Sequence, residues 1–187
     1  MGINTVALAH HFIRQYVRPG DLCIDATAGR GRDTELLCAL AGGTGRVLAF
    51  DVQEDAVRQT RARVEAAGYG ARCRVIHDSH SEMGRYAAEG SVRCIVFNFG
   101  YLPGGDHRVF TRAETSIPAI GTGLRLLAPG GVMSLSIYYG GDTGYGERDA
   151  LLRFLATVDD KGYTVLTGSF ANRPNDPPIP VFIWKDT

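Results

Sequence analysis

The chain lacks any apolar run long enough to span a bilayer. Its opening residues, Met1-Gly-Ile-Asn-Thr-Val-Ala-Leu-Ala-His-His11, carry neither a basic leader nor a long apolar core. These absences argue against membrane and secreted proteins, and a cytoplasmic enzyme is expected. No two of the four cysteines (Cys23, Cys38, Cys73, Cys94) form a C-x-x-C pair, so the usual structural zinc spacing is missing and no metal is expected. Three of them, Cys23, Cys73 and Cys94, fall in apolar strand-like runs and read as buried thiols acting as small hydrophobes. Net charge is zero, which excludes broad electrostatic coating of nucleic acid. Lysine is nearly absent: of 20 basic residues only Lys161 and Lys185 are not arginine. Guanidinium groups bind phosphate bidentately and stack on bases, so composition leaves an RNA substrate open without supporting it. With no internal repeat and no linker, the 187 residues fit one domain, 1–187, with a sizeable core.

What is present is concentrated in Asp25-Ala-Thr-Ala-Gly-Arg-Gly-Arg-Asp-Thr34. The apolar Leu22-Cys23-Ile24 precedes it and a helix-like Glu35-Leu-Leu-Cys-Ala-Leu40 follows, giving a strand, a glycine-rich turn and a helix in order. Such a turn brings bare backbone against a ligand, and the helix start adds unpaired N–H groups with a partial positive charge. The dinucleotide fingerprint G-x-G-x-x-G/A fails at its last position, where Thr34 stands. Asp-x-x-x-Gly-x-Gly at the end of a first strand instead resembles motif I of class I S-adenosylmethionine (SAM) methyltransferases. Arg46-Val-Leu-Ala-Phe-Asp51 reads as a second strand ending in an acid able to accept from both ribose hydroxyls. NAD sites use the same geometry, so Asp51 alone does not separate the two cofactors.

Periodicity predicts helices over residues 3–17, 33–41, 54–67, 81–88, 111–127 and 147–160, with Pro118 kinking or breaking the fifth. Strands are predicted over 22–26, 47–51, 73–77, 92–97, 132–138, 163–170 and 180–184. The early strand–helix alternation implies a mostly parallel, doubly wound sheet, and the two closing strands without a helix between them imply one antiparallel strand near its edge. That is an α/β, Rossmann-like class I methyltransferase fold; a plain dinucleotide domain would continue its parallel alternation.

Ligands in such sheets bind beyond the carboxyl ends of the strands. After strand one, Gly29 and Gly31 are expected to let the backbone approach the methionine part of the cofactor. Asp33 either takes the cofactor's amino group or caps the helix. After strand two, Asp51 takes the ribose and Gln53 lies near the adenine. After strand three, Asp78 or Ser79 accepts from the exocyclic amine and His80 lines the cleft. After strand four comes Asn98-Phe-Gly-Tyr101-Leu-Pro-Gly-Gly-Asp-His107. Asn98-x-x-Tyr101 has the spacing of the Asn-Pro-Pro-Tyr motif of amino-methyltransferases, where the Asn accepts hydrogen bonds from the target amine and the ring packs on the substrate. The catalytic residues read from it are Asn98 and Tyr101, with Gly100, Asp106, His107 and Tyr139 as substrate contacts. Asp106, His107 and Asp142 are the candidates for a general base.

Taken together, Asp25-Ala-Thr-Ala-Gly-x-Gly-x-Asp-Thr34, Phe50-Asp51-x-Gln53, His77-Asp-Ser-His80, Asn98-x-Gly-Tyr-Leu-Pro-Gly-Gly-Asp106 and Asn175-x-Pro-Pro178 resemble the small rRNA methylase family. Members methylate an aminomethyl group on wobble uridine 34 of tRNA. The resemblance implies SAM-dependent conversion of 5-aminomethyl-2-thiouridine to 5-methylaminomethyl-2-thiouridine. It places cofactor contacts at Arg30, Arg32, Asp51, Gln53, Ser79 and His80. The chain departs from the family pattern at Arg30 and Arg32, commonly Asn, and at Tyr138-Tyr139-Gly140-Gly141. Arginine can donate to the SAM carboxylate but cannot accept from its amino group. The expected partner is the anticodon region of tRNA, with a homodimer left open and no membrane and no metal. A SAM methyltransferase acting on a small molecule or another RNA stands as the alternative, and behind it an NAD-binding oxidoreductase or a non-catalytic Rossmann module.

Overall fold

The computed structural model describes residues 3–100, 111–139 and 141–187, leaving aside the side chains of 141–143. The elements alternate as α1 (Thr5–Tyr16), β1 (Leu22–Asp25), α2 (Arg32–Ala41), β2 (Arg46–Asp51), α3 (Glu54–Ala66), β3 (Cys73–His77), a 3₁₀ turn (His80–Arg85), β4 (Val92–Phe99), α4 (Ala113–Leu126), β5 (Leu127–Ile137), α5 (Gly141–Leu155), β6 (Tyr163–Thr167) and β7 (Ile179–Lys185). The seven strands lie in the order β3-β2-β1-β4-β5-β7-β6. Pairs from β3 through β5 are parallel, whereas β7 runs antiparallel to both β5 and β6. The doubly wound sheet with one reversed strand near its edge is therefore present.

The strand cores are apolar because helices cover both faces. One layer packs α1 and α2 through Phe12, Ile13, Leu37 and Cys38 against Cys23, Val47 and Cys94. The opposite layer buries Ile120, Leu124, Leu151 and Leu155 on Phe97, Met133, Leu135 and Ile183. Helix α1 starts at Asn4, whose side chain accepts from the Ala7 N–H at 2.8 Å. Its inner face meets β7, with the Phe12 and Phe182 rings 4.3 Å apart and the Trp184 indole N–H donating to the Tyr16 hydroxyl at 2.8 Å.

Three expectations shift. Helix α4 continues through Pro118 to Leu126: a proline at the sixth helical residue forfeits a single internal hydrogen bond. Pro129-Gly130-Gly131 does not precede the fifth strand but loops out within it, as the pairing with β4 jumps from Val92↔Leu127 to Cys94↔Val132. Helix α5 begins at Gly141 rather than 147, since its glycine-rich first turns hide the helical period.

Candidate active site

A cavity of about 450 Å³ opens at the carboxyl ends of β1 to β5, a volume suited to a nucleotide-sized ligand. Successive strand ends supply its wall: Gly29, Arg30, Arg32 and Asp33 after β1, Asp51 and Gln53 after β2, Ser79 and His80 after β3, Asn98 and Gly100 at β4, and Tyr138 after β5. The strand order reverses between β1 and β4, the switch point where open α/β sheets hold ligands.

The glycine loop is anchored on Asp51. One carboxylate oxygen accepts the Gly29 N–H at 2.9 Å and the other accepts the Gln53 N–H at 2.9 Å. An ionised carboxylate has about four acceptor positions, so each oxygen keeps capacity for a further donor such as a ribose hydroxyl. Helix α3 grips the loop from behind: Thr60 Oγ1 donates to the Gly29 carbonyl at 3.1 Å and Arg63 Nε to the Arg30 carbonyl at 2.7 Å. Gly29 and Gly31 both have left-handed φ, 54° and 74°. Their roles differ. Gly31 does not line the cavity; a Cβ there would point at Thr60, 3.1 Å away. Gly31 therefore serves the turn and the close approach of α3, and the ligand-facing glycine is Gly29. Arg30 and Arg32 are exposed at the mouth.

The centre of the site is a chain of side chains crossing four elements. Asp25, fully buried at the end of β1, accepts from Thr34 Oγ1 at 2.6 Å and from the Thr27 N–H at 3.2 Å. Burial, with the neighbouring Asp33 charge, pushes its carboxyl up to about 7. Asp33 is not a helix cap: it is the second residue of α2, and Gly31 occupies the cap position. Its carboxylate instead contacts His10 Nε2 at 2.7 Å through one oxygen and accepts Asn98 Nδ2–H at 2.8 Å through the other. The Asn98 backbone N–H donates to Thr27 Oγ1 at 2.7 Å. A carboxylate accepts and does not donate, so Asp33 orients the Asn98 amide and leaves its carbonyl oxygen available to a ligand N–H.

After β3, Asp78 accepts from Tyr86 Oη at 2.7 Å and from the Ser79 N–H at 2.8 Å, which holds its carboxyl below the usual range. Ser79 Oγ caps the 3₁₀ turn by accepting from the Ser81 N–H. His80 is buried beside Phe97 and Phe99, and burial lowers its imidazole to about 4. The ring donates to the Ala26 backbone, while buried Nε2 finds no partner among the described residues. A neutral ring that donates from one nitrogen accepts at the other, so Nε2 is a buried, unpaired acceptor.

Gly100 has φ 131°, and a Cβ there would lie 2.9 Å from Tyr138 Cβ. Its N–H donates to Thr111 Oγ1 at 2.7 Å, and the Thr111 N–H returns to the Gly100 carbonyl at 3.0 Å. Thr111 Oγ1 and Ser116 Oγ both donate to buried Glu147, at 2.8 and 2.7 Å. Tyr101, Asp106 and His107 lie outside the described residues, as does the side chain of Asp142. Tyr139 does not line the cavity, because its ring packs on Tyr145 at 5.8 Å with the Arg148 guanidinium 4.9 Å from both rings. His10, Thr27, Thr111, Tyr138 and Glu147 were not read from sequence as site residues. Among the described residues no cluster of metal-ligating side chains occurs, and no helix is long and apolar enough to cross a membrane.

Comparison with known proteins places this arrangement. The family model described as "Putative rRNA methylase" matches residues 47–184. The "tRNA (mnm(5)s(2)U34)-methyltransferase, chloroplastic" of Arabidopsis thaliana is 32% identical over 188 residues, spanning 95% of this chain and 68% of that protein. The crystal structure of a "putative rRNA-methylase" from Clostridium thermocellum superposes with a TM-score of 0.96 at 40% identity, covering 99% of both chains. A "putative methyltransferase" from Streptococcus mutans in complex with SAH superposes at 0.88 with 35% identity, again over 99% of both chains. The chain belongs to the "Putative rRNA methylase" family and is a SAM-dependent methyltransferase of the class I fold.

Proposed function

We propose that the chain methylates the exocyclic amine of 5-aminomethyl-2-thiouridine at wobble position 34 of tRNA, giving the 5-methylaminomethyl nucleoside. The observation that carries the reading is the orientation of Asn98. Its amide nitrogen donates to Asp33, so its carbonyl oxygen is left to accept from a donor such as an amine. The tRNA wobble activity named for the Arabidopsis relative supports the same substrate.

On this reading SAM supplies an electrophilic methyl group on a sulfonium. Asp51 holds the ribose diol, the Gly29 backbone lies along the methionine part, and Arg30 and Arg32 face its carboxylate. Gln53, Ser79 and His80 surround the adenine. Asn98 would hold the substrate nitrogen in line with the methyl carbon, with Gly100 beside the base. Rate then derives chiefly from alignment and from exclusion of water. Incubating tRNA that carries 5-aminomethyl-2-thiouridine with the protein and SAM, then analysing nucleosides by mass spectrometry, tests the proposal. The methylaminomethyl nucleoside is expected; an unchanged profile overturns the assignment, and methyl transfer to a small molecule or another RNA replaces it.

Tyr139, exposed Tyr145 and Arg148 stand together one residue beyond cavity-lining Tyr138. Tyrosine rings with a guanidinium between them form a stacking platform for an unpaired base. Stacking on such a surface is worth about 1–3 kcal/mol per base. Tyr145→Ala is therefore expected to raise the KM for tRNA about tenfold with an unchanged Kd for SAM, measured by steady-state kinetics and calorimetry.

A further inference from the structure

We infer that Asp33 is the general base that takes the proton of the substrate amine, with His10 as the residue that positions it; this rests on the amine-substrate reading above. Asp33 is well placed for the part. It lines the cavity, its side chain is 17% exposed, and one of its oxygens lies 2.8 Å from the amide nitrogen of Asn98, whose carbonyl receives the amine. The other oxygen is held by His10 at 2.7 Å. His10 reaches in from α1, with a quarter of its side chain in solvent. Its neighbour His11 faces Gln15 instead.

An alkylamine enters mostly as the ammonium, which has no lone pair to give. In a closed, poorly hydrated site an ammonium–carboxylate pair is costly, and the neutral amine–carboxylic acid pair is favoured relative to water. The ammonium proton passes to the Asp33 carboxylate. The freed nitrogen pair forms the N–C bond to the methyl, and the C–S bond breaks with its electron pair going to sulfur. Sulfur loses its positive charge, the product is a secondary ammonium, and Asp33 returns its proton to water once the product has left. The groups around Asp33 are His10 from α1, buried Asp25 from β1 with Asp51 of β2 behind it, Cys94 and Asn98 from β4, and Tyr138 from β5, while Arg32 adjoins it in α2.

The test is turnover of aminomethyl-bearing tRNA from pH 6.5 to 10 at saturating SAM, for the wild type, Asp33→Asn and His10→Asn, with the SAM Kd by calorimetry. Asp33→Asn is expected to lose about 100-fold at neutral pH. It should recover toward the wild type at high pH, where the amine is already free, with the SAM Kd kept within about threefold. His10→Asn should show a smaller loss on the same shifted profile. A loss in Asp33→Asn that does not change with pH overturns the base assignment and leaves Asp33 as a holder of Asn98. A SAM affinity that falls in parallel with turnover also overturns it, making Asp33 a cofactor contact. Wild-type-like turnover in Asp33→Asn overturns this assignment alone, whereas an inactive wild type overturns the amine-substrate reading and this assignment with it.

Discussion

Asn98→Ala is expected to cut turnover by two to three orders of magnitude, about the loss seen when an aligned polar group is removed from a reacting centre. Its dissociation constant for SAM should stay within about threefold. The separation follows from the geometry. Asn98 stands at the end of β4, whereas the ribose-side anchor Asp51 stands at the end of β2, two strands away in the sheet order β3-β2-β1-β4. The alanine variant keeps the backbone bond to Thr27 Oγ1, so β4 keeps its position. It loses the amide that Asp33 holds, a neutral-to-charged hydrogen bond worth about 1.5–3 kcal/mol at most. A modest fall in melting temperature with a large fall in kcat is therefore the expected pair of readings. Single-turnover kinetics with pre-bound SAM would separate chemistry from binding, and wild-type-like turnover would remove Asn98 from the catalytic role.

Asp51→Ala is expected to raise the SAM dissociation constant about 100-fold or more, read by calorimetry. Two losses add. The two charge-assisted bonds proposed to the ribose would go, at about 1.5–3 kcal/mol each. The anchors of Gly29 N–H and Gln53 N–H also go, so the glycine loop and the start of α3 lose their common tether. Asp51→Asn separates the contributions. An amide accepts on one side only, so it can keep one backbone anchor and is expected to fall between the alanine variant and the wild type. An Asp51→Ala protein that binds SAM normally would place the ribose elsewhere.

Much of this site is readable from sequence because topology does the sorting. Once the strands are located, the residues following each one must meet at a single sheet edge, which is how Gly29, Asp51, Ser79, His80 and Asn98 come to share one cavity. What could not be read depends on how elements dock. His10 sits on a helix whose periodicity reports only its buried face, and its partner Asp33 is 23 residues away on another helix. Thr27 supports Asn98 across 71 residues, a pairing that exists only when β1 and β4 are neighbours. The direction of Gly31 depends on where α3 packs. Glu147 reads as an ordinary helical acid until Thr111 and Ser116 are seen to close over it. The unbroken helix at Pro118 and the early start of α5 at Gly141 share a cause: local proline and glycine signals yield to tertiary packing.

The reversed strand β7 has a consequence for the order in which the protein can fold. It sits between β5 and β6, so β6 must wait for a later segment of chain before it gains a partner. The same strand is part of the floor on which α1 rests, through Phe182 and Trp184, and Thr5 Oγ1 donates to the carbonyl of Pro178 just ahead of it. The earliest helix thus gains part of its seat only when the latest strand is in place, through contacts spanning more than 160 residues. Closing so long a loop is a late and slow event. A growing chain has its glycine loop, Asp51 and α1 with His10 long before β7 can complete the floor beneath that helix.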